Sequence, residues 1–327
     1  MASGEGAEDR GGRERPLVPF YLPLRPSLNP SEIPPVDVTS RSEGLRKGEE
    51  GFLFGMAHLA ELDSLSRKRR LREEPREEVV RARDRILADL SRPERDVLAE
   101  RLLILLDKAE RLGLKMMHPG HPDYPSRLGT LSAPPFFLFV RGDATILDRP
   151  LVAVVGAREA GRESLLEVTG LSKNLSEAGL VVVSGLARGV DAAAHRGALE
   201  AKRPTVAVVG TGLDRVYPPE NGGLAREIER TGGLILSEYP PGSGPDGWHF
   251  PHRNRIVAGL SLAVIAGPHR RRSGTYVTAR IALEEGRELL VFDRGARGWE
   301  CEGPALLEGE GAKRAGSAME VMEALLS

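Results

Sequence analysis

Six short apolar segments, spaced along the second half of the chain and separated by helical patterns, constrain the fold most strongly. The segments are Leu151–Val155, Leu180–Ser184, Thr205–Gly210, Gly233–Ser237, Leu262–Ala266 and Glu288–Phe292. Amphipathic stretches near residues 161–178, 190–201, 221–231, 250–259 and 274–286 fill the gaps. Strands that alternate with helices form parallel sheets covered on both faces, and continuous apolar strands fit such burial. We therefore predict an α/β fold with a doubly wound, mostly parallel sheet.

The first 115 residues have a different texture. Residues 1–50 are rich in Gly, Pro, Ser and charge without sustained periodicity, which predicts a disordered or loosely docked arm. From Glu77 to Leu112 the apolar residues recur at helical spacing, and Pro93 divides two helices with Ser91 as a cap. We predict a small helical domain over residues 51–115, then a linker, a short strand behind prolines near 133–142, and one large domain over residues 116–327.

Bulk composition narrows the classes of function. The formal net charge is −1, so contacts with phosphates must come from a local patch and not from a uniformly basic surface. The single cysteine excludes an internal disulfide. The polar N-terminus lacks the apolar stretch of a signal peptide, and no segment approaches the ~20 apolar residues of a membrane span. We expect a cytoplasmic protein without membrane association.

The loops that follow the predicted strands share one chemistry. In an open parallel sheet, ligands bind beyond the carboxyl ends of the strands. These loops contain glycine for close backbone approach, four of the five carry arginine, and helices with unpaired N–H groups begin just afterwards. The pattern predicts an anion site, with phosphate as the natural anion. The loops are Gly156–Arg158, Ser184–Asp191, Gly210–Pro218, Ser237–Gly242 and Gly267–Thr275.

A basic window lies near the C-terminal end of this region. No acidic residue occurs between Asp246 and Glu284, whereas the same window contains six arginines. Aromatic residues lie among them: Trp248, Phe250 and Tyr276. A basic patch interleaved with aromatic rings is typical of a surface that tracks a nucleic-acid backbone and stacks its bases.

Several enzyme classes find no support in the motifs. The chain contains neither a Gly-x-Gly-x-x-Gly fingerprint nor a Gly-Lys-Ser/Thr phosphate loop, so we expect no nucleotide cofactor. His249 and His252 lack a third ligand at convincing spacing, so we expect no metal. We predict no catalytic residues; Glu238 is either a catalytic carboxylate or the structural partner of an arginine.

Arg188 is either a phosphate ligand or the partner of Asp191 or Glu159. We interpret Asp191 as a helix N-cap.

Several segments together resemble the DNA-processing protein A family, DprA, also called Smf. Its central motif resembles Ser184–Asp191 with Ala194–Leu199, and its Phe-Pro-x-Arg-Asn-Arg segment resembles Phe250–Ser261. Further blocks occur in the expected order: Tyr124-Pro125, Pro135–Gly142, Val155–Arg158, Tyr217–Asn221, Ser273-Gly274 and Thr278-Ala279. The resemblance covers about residues 115–326, and the N-terminal region diverges.

The resemblance implies an extended Rossmann-like fold that binds single-stranded DNA in a basic pocket at the strand ends. It also implies a homodimer that loads a RecA-type recombinase during natural transformation or recombination. Arg158 and Arg188 would hold phosphates, whereas Arg253 and Arg255 would either do the same or lock the loops through carboxylates such as Glu238. Together, the loops and the resemblance indicate these DNA or phosphate ligands: Gly156, Arg158, Ser184, Gly185, Arg188, Gly189, Arg253, Asn254, Arg255, Arg271 and Ser273.

Two alternatives remain open at this stage. The same pocket would suit a nucleotide sensor or a nucleotide-processing enzyme, for which Glu238 is the candidate catalytic carboxylate. In the second alternative, the chain is a scaffold that recruits a partner through its N-terminal helices.

Overall fold

A computed structural model describes residues 49–66 and 79–326, and in this part of the chain nine strands form one sheet. The strands are β1 (Lys115–Met117), β2 (Leu138–Gly142), β3 (Leu151–Val155), β4 (Val181–Ser184), β5 (Val206–Val209), β6 (Leu234–Ser237), β7 (Ala263–Ala266), β8 (Glu288–Val291) and β9 (Lys313–Arg314). The helices are α1 (Glu49–Ser66), α2 (Val79–Ala88), α3 (Arg92–Arg111), α4 (Ser126–Gly129), α5 (Arg162–Glu177), α6 (Val190–Glu200), α7 (Gly222–Arg230), α8 (His249–Leu260), α9 (Gly274–Glu284), α10 (Glu302–Gly309) and α11 (Ala318–Leu326).

The sheet has the order β1-β2-β6-β5-β4-β3-β7-β8-β9. In this order, all neighbouring strands from β6 across to β9 pair in parallel. At the other edge, β1 pairs antiparallel with β2, and β2 pairs antiparallel with β6. The parallel part of the sheet begins with β3 in its middle. The chain adds β4, β5 and β6 on one side of β3 and then returns to place β7 on the other side. This reversal is the topological switch point, where ligands bind in open α/β sheets.

Burial on both faces explains the strand sequences. All residues of β3, β4, β5, β6 and β7 are buried, so both faces of each strand require apolar or fully hydrogen-bonded side chains. Val152 and Val182 pack with α5 and α6 on one face, while Ala153 and Val183 belong to the core cluster on the other face. The predicted doubly wound α/β sheet is therefore confirmed.

The six predicted strands all occur within one residue of their expected bounds. The predicted short strand behind prolines is β2, which pairs antiparallel with β6. The strands β1 and β9 were not predicted. They contain three and two residues, too few for a periodic signal, and β9 consists of the exposed pair Lys313 and Arg314.

Helix α3 begins where its sequence signal predicts. Ser91 precedes α3, and its backbone N–H and hydroxyl both donate to the Glu94 carboxylate, at 2.9 Å and 2.6 Å. Apolar residues of α1, α2 and α3 share one core cluster with Phe137 and Phe139 beside the sheet. The division at residue 115 into two domains stays a prediction, and most of the predicted arm, residues 1–48, lies outside the described residues.

In the described ranges, every helix is too short or too polar to cross a lipid bilayer.

The crossing of α5 and α6 yields a test of packing. A Cβ on Gly197 would lie 2.3 Å from the Thr169 carbonyl oxygen, whereas a Cβ on Gly170 would meet nothing within 4 Å. We expect Gly197→Ala to lower the free energy of unfolding by about 1–3 kcal/mol, because the helices must move apart. The matched variant Gly170→Ala should gain up to about 1 kcal/mol from helix propensity. Urea denaturation measures both, and equal effects of the two variants would contradict the packing argument.

Candidate functional site

A cleft of about 730 Å³ opens at the topological switch point. Its walls come from the loops after β3 and β7, the start of α8, the first turn of α9, and a 3₁₀ turn at Gly298–Cys301. Three arginines line it, Arg158, Arg253 and Arg270, together with the carboxylates of Glu159 and Asp191. A smaller recess of about 90 Å³ shares Arg158 and Arg253 with the cleft and adds residues from the loop after β4. A cleft therefore lies at the edge of the sheet where the sequence pattern predicted a site.

Arg158 and two aromatic rings form one wall of the cleft. The Arg158 guanidinium carbon lies 5.5 Å from the centre of the Phe250 ring, within the range of a cation–π contact. The Tyr217 ring packs against Phe250 with centroids 5.5 Å apart. Neither ring belonged to the predicted ligand set, although Phe250 and Tyr217 both lie in the segments that carried the family resemblance. This wall presents a cation and an apolar surface to the same volume.

Glycines bring the loops after β3 and β4 into contact. Gly189 has φ of 70°, and a Cβ there would lie 2.2 Å from the Ala157 carbonyl oxygen. The same carbonyl accepts a hydrogen bond from the Val190 amide at 3.1 Å. A Cβ on Gly156 would meet the Val190 side chain at 2.6 Å. Gly156 and Gly189 are therefore needed for loop packing, and Gly156 also lines the cleft.

Arg253 is a buried cation beneath the cleft, only 5 % exposed. Its Nη1 donates to the Val208 carbonyl oxygen at 2.8 Å. A Cβ on Gly185 would lie 1.9 Å from that same Nη1, so glycine is required for the guanidinium to fit. Burial lowers the pKa of Arg253, and the nearby Asp191 carboxylate opposes that shift.

Asp191 stabilises the loop after β4 rather than capping its own helix. Gly189 is the N-cap of α6, and the Asp191 carboxylate accepts from the backbone N–H groups of Gly185 and Ala187, at 3.1 Å and 3.4 Å. The N-cap prediction was therefore wrong. Burial raises the pKa of Asp191, while Arg253 and the two amides counteract it. The carboxylate thus balances the buried guanidinium and orders the loop.

Arg255 points away from the cleft and pairs with Glu238. Its Nη1 and Nη2 donate to the two Glu238 carboxylate oxygens at 2.7 Å and 2.5 Å, and its Nε donates to the Ala133 carbonyl at 2.8 Å. Glu238 is fully buried. Burial raises the pKa of Glu238, but Arg255 and then His252 outweigh that effect and bring the pKa down to about 2. Arg255 and Glu238 are a structural lock, so neither the predicted ligand role of Arg255 nor a catalytic role of Glu238 in the cleft matches the geometry.

A buried polar cluster extends this lock to α1. His58, Glu61 and Glu238 each place a potential metal-ligand atom within 4.8 Å of the others. His58 Nε2 lies 2.7 Å from the Glu238 carbonyl oxygen. Because Arg255 occupies both Glu238 carboxylate oxygens, the cluster is arranged for ion pairing and joins α1 to the end of β6.

Three other predicted ligands lie in different environments. Ser184 is fully buried and donates to the Val154 carbonyl at 2.7 Å, so its hydroxyl joins neighbouring strands and does not reach the cleft. Arg188 lines the smaller recess and pairs with Glu220, not with Asp191 or Glu159. Arg271 lies beside Glu302 and Glu310 in a separate surface depression. The structure therefore does not bring Ser184 or Arg271 into the cleft.

The remaining predicted residues do line the cleft. Asn254 follows Arg253 on α8, and Ser273 is the N-cap of α9, where its hydroxyl accepts from the Tyr276 amide at 3.2 Å. The first turn of α9 thus borders the cleft through Gly274 and Thr275, and helix N-termini of this kind favour anions. Arg270 and Trp299 also line it and were not predicted as ligands. No sequence signal marked Trp299, because it lies outside every motif and after the last predicted strand.

Comparison with known proteins assigns the family. Residues 115–326 match the family model described as DNA recombination-mediator protein A. Since this match spans well over half of the chain, the chain belongs to that family, and the identification from its motifs is confirmed.

Three relatives illustrate the likeness. DNA processing protein DprA of Bacillus subtilis is 35 % identical over 244 residues, which cover 74 % of this chain and 82 % of that protein. The crystal structure of DprA from Streptococcus pneumoniae aligns with a TM-score of 0.64 at 31 % identity, covering 86 % of this chain and 96 % of that one. A structure of DprA from Helicobacter pylori, described for its single-stranded DNA binding mode, aligns with a TM-score of 0.58 at 32 % identity, covering 65 % and 95 %.

The buried lock predicts a specific pH dependence of stability. The folded-state pKa of Glu238, about 2, lies below the usual value of 4.5, so the ionised carboxylate stabilises the fold at neutral pH. That contribution is lost as the pH falls from about 4.5 towards 2. Glu238→Gln should lower the unfolding free energy at pH 7 by about 3–5 kcal/mol, because Arg255 stays buried without its partner. The unfolding free energy of the variant should also fall less than that of the wild type as the pH drops from about 4.5 towards 2.

Urea denaturation between pH 2.5 and 7 measures this effect. Glu229→Gln is the control, because that carboxylate is 32 % exposed and lies 3.8 Å from Arg141. Parallel pH curves for the wild type and Glu238→Gln would refute a stabilising pair at this position.

Proposed function

We propose that this protein binds single-stranded DNA in the cleft at the switch point. The observation that carries the proposal is the Arg158–Phe250 pair, in which a guanidinium lies over an aromatic ring inside a concave site. The guanidinium suits a phosphate, and the ring suits an unstacked base. The single-stranded DNA binding mode described for the Helicobacter pylori relative supports the same ligand class.

A single strand fits this arrangement better than a duplex. Bases in a duplex are stacked on one another, so their faces cannot contact Phe250 without unstacking. A flexible single strand offers each base face and each phosphate separately. The positive dipole end of α9 and the exposed guanidinium of Arg270 add positive potential to the same volume. We therefore expect binding that depends strongly on salt and little on sequence.

We infer a binding role without catalysis. The carboxylate considered for a nucleotide-processing enzyme, Glu238, lies outside the cleft and is fully engaged by Arg255. Asp191 is occupied by backbone amides beside Arg253. A nucleotide sensor remains the second candidate, because Arg158 and the first turn of α9 would also accept a free nucleotide. Mononucleotides that displace a bound oligonucleotide at micromolar concentration would favour this alternative.

We further propose that the protein acts in the cytoplasm as a homodimer that assists a RecA-type recombinase on single-stranded DNA. The family description, a recombination mediator, supports a recombinase as the partner class. Light scattering should give twice the chain mass of 35.4 kDa. Assembly of a RecA-type recombinase on DNA already covered by single-strand-binding protein should accelerate when this protein is added. An unchanged assembly rate would remove the recombinase from the proposal while leaving DNA binding intact.

The cleft proposal predicts the effects of two substitutions on DNA affinity. Arg158→Ala should weaken binding of oligothymidylate about tenfold or more at low salt, since a charge-assisted contact contributes about 1.5–3 kcal/mol. Its slope of log affinity against log salt should fall by about 0.7, the value for one phosphate on a single strand. Phe250→Ala should weaken binding about 5-fold to 100-fold by removing a stacking face. Fluorescence anisotropy of labelled oligonucleotides measures both effects.

Arg230→Ala is the matched control. This exposed arginine ends α7 and precedes β6, so it lies at the opposite end of the strands from the cleft. We expect its affinity and salt slope to equal those of the wild type. A folded Arg158→Ala protein that binds as tightly as Arg230→Ala would exclude the cleft as the DNA site.

A further inference from the structure

We propose that Arg270 and Trp299 form a second base-stacking platform in the same cleft, separate from the Phe250 wall. The platform would take one unstacked base of a single strand. This inference rests on the proposed function, because it adds a subsite to the same ligand.

The two side chains form a close cation–π contact. The Arg270 guanidinium carbon lies 4.2 Å from the centre of the Trp299 ring, nearer than Arg158 lies to Phe250. Tryptophan is the ring that attracts cations most strongly, and a guanidinium lying on a ring leaves its other flat face exposed. Arg270 is exposed and Trp299 is partly exposed, and both line the cleft. In the described part of the chain, Arg270 forms no salt bridge that would hold it elsewhere.

The backbone that carries the platform is firmly held. Arg270 and Trp299 directly adjoin His269 and Glu300 in sequence, and the His269 amide donates to the Glu300 carbonyl at 3.0 Å. The Gly303 amide donates back to the His269 carbonyl at 2.9 Å. The His269 side chain is fully buried against Gly303, where a Cβ would come within 2.2 Å of the imidazole. These contacts join the loop after β7 to the turn after β8.

Glu300 anchors the turn that carries Trp299 to α5. Its carboxylate accepts from the Gly161 amide at 2.6 Å, from the Ser164 hydroxyl at 3.1 Å and from the Arg297 amide at 3.1 Å. Glu300 is buried, so this anchor is shielded from water. A platform on such a support is ordered before the ligand arrives, which reduces the entropy lost on binding.

The chemistry favours a base over a bare phosphate. A phosphate needs the edge of a guanidinium, where the N–H groups point, and gains nothing from the face of an indole ring. A base needs a flat face, which the stacked pair provides, and base stacking on such faces tolerates any sequence. The first turn of α9, with Ser273 as its N-cap, lies in the same cleft and offers amides to a phosphate of the same strand. The cleft therefore offers two stacking faces and separate phosphate contacts to one strand.

The decisive experiment compares a strand with bases and a strand without them. The probes are oligothymidylate of about 15 nucleotides, within the span that single-strand-binding folds cover, and an abasic strand of equal length. Trp299→Ala and Arg270→Ala should each weaken binding of oligothymidylate about 5-fold to 100-fold. On the abasic strand, Trp299→Ala should lose little affinity. Arg270→Ala should lose only the affinity that its charge contributes to phosphate binding. Trp299→Phe should keep most of the affinity, because it retains an aromatic face.

Arg272→Ala is the matched control for Arg270→Ala. It removes the same charge from the same loop, and Arg272 is exposed but does not line the cleft. We expect Arg272→Ala to behave as the wild type on both strands. Equal losses for Trp299→Ala on the two strands, or no loss on either, would overturn the platform.

Tryptophan fluorescence provides an independent readout. The chain has two tryptophans, and Trp248 packs against Tyr239 and His249 away from the cleft lining. In a Trp248→Phe background, emission therefore reports Trp299 alone. Oligothymidylate should quench this emission at the concentrations that saturate binding, while the abasic strand should quench it little. Unquenched emission at saturation would contradict stacking at Trp299.

The outcomes separate this inference from the proposed function. If the wild type binds neither strand, DNA binding itself is wrong. If Arg158→Ala weakens binding while Trp299→Ala, Arg270→Ala and the emission of Trp299 show no effect, the cleft binds DNA and only the second platform is wrong.

Discussion

The buried guanidinium of Arg253 is the interaction on which the site depends. It donates to the Val208 carbonyl, occupies the space that a side chain at residue 185 would fill, and faces Asp191. Since Asp191 in turn holds the amides of Gly185 and Ala187, one cation orders the loop after β4 against α8. An isolated charge in this position would be prohibitively costly, so arginine, aspartate and glycine must occur together.

Two arginines on α8 have opposite surroundings although only one residue separates them in sequence. Residues two positions apart on a helix point to different sides, so Arg253 lies under the cleft while Arg255 pairs with Glu238. The shared motif predicted a basic cluster, and it could not distinguish the ligand side from the structural side. That distinction depends on β6, which supplies the carboxylate and lies next to α8 only in the folded chain.

The fold was more predictable than the site for a physical reason. A buried strand can be recognised from a short stretch of sequence, because every residue between Leu151 and Val155 must be apolar when both faces are covered. Ligand roles depend on where side chains meet, and Ser184 shows the limit: its hydroxyl satisfies a neighbouring strand instead of the cleft. Trp299 shows the converse, because contacts of Glu300 and His269 bring it to the cleft without any motif nearby.

Three arginines and two carboxylates, Glu159 and Asp191, line the cleft, so its lining has a small excess of positive charge although the chain as a whole carries −1. Other carboxylates near the site are engaged by partners of their own. Arg255 pairs with Glu238, and Arg253 and backbone amides stabilise Asp191, whereas Glu300 accepts hydrogen bonds from the amides of Gly161 and Arg297. In residues 79–326, Arg158 and Arg270 instead lie over aromatic rings. An aromatic ring orients a guanidinium without neutralising it, whereas a carboxylate would cancel the charge that a phosphate needs. The pairing of arginine with rings therefore leaves both charge and flat apolar surface available in the same cleft.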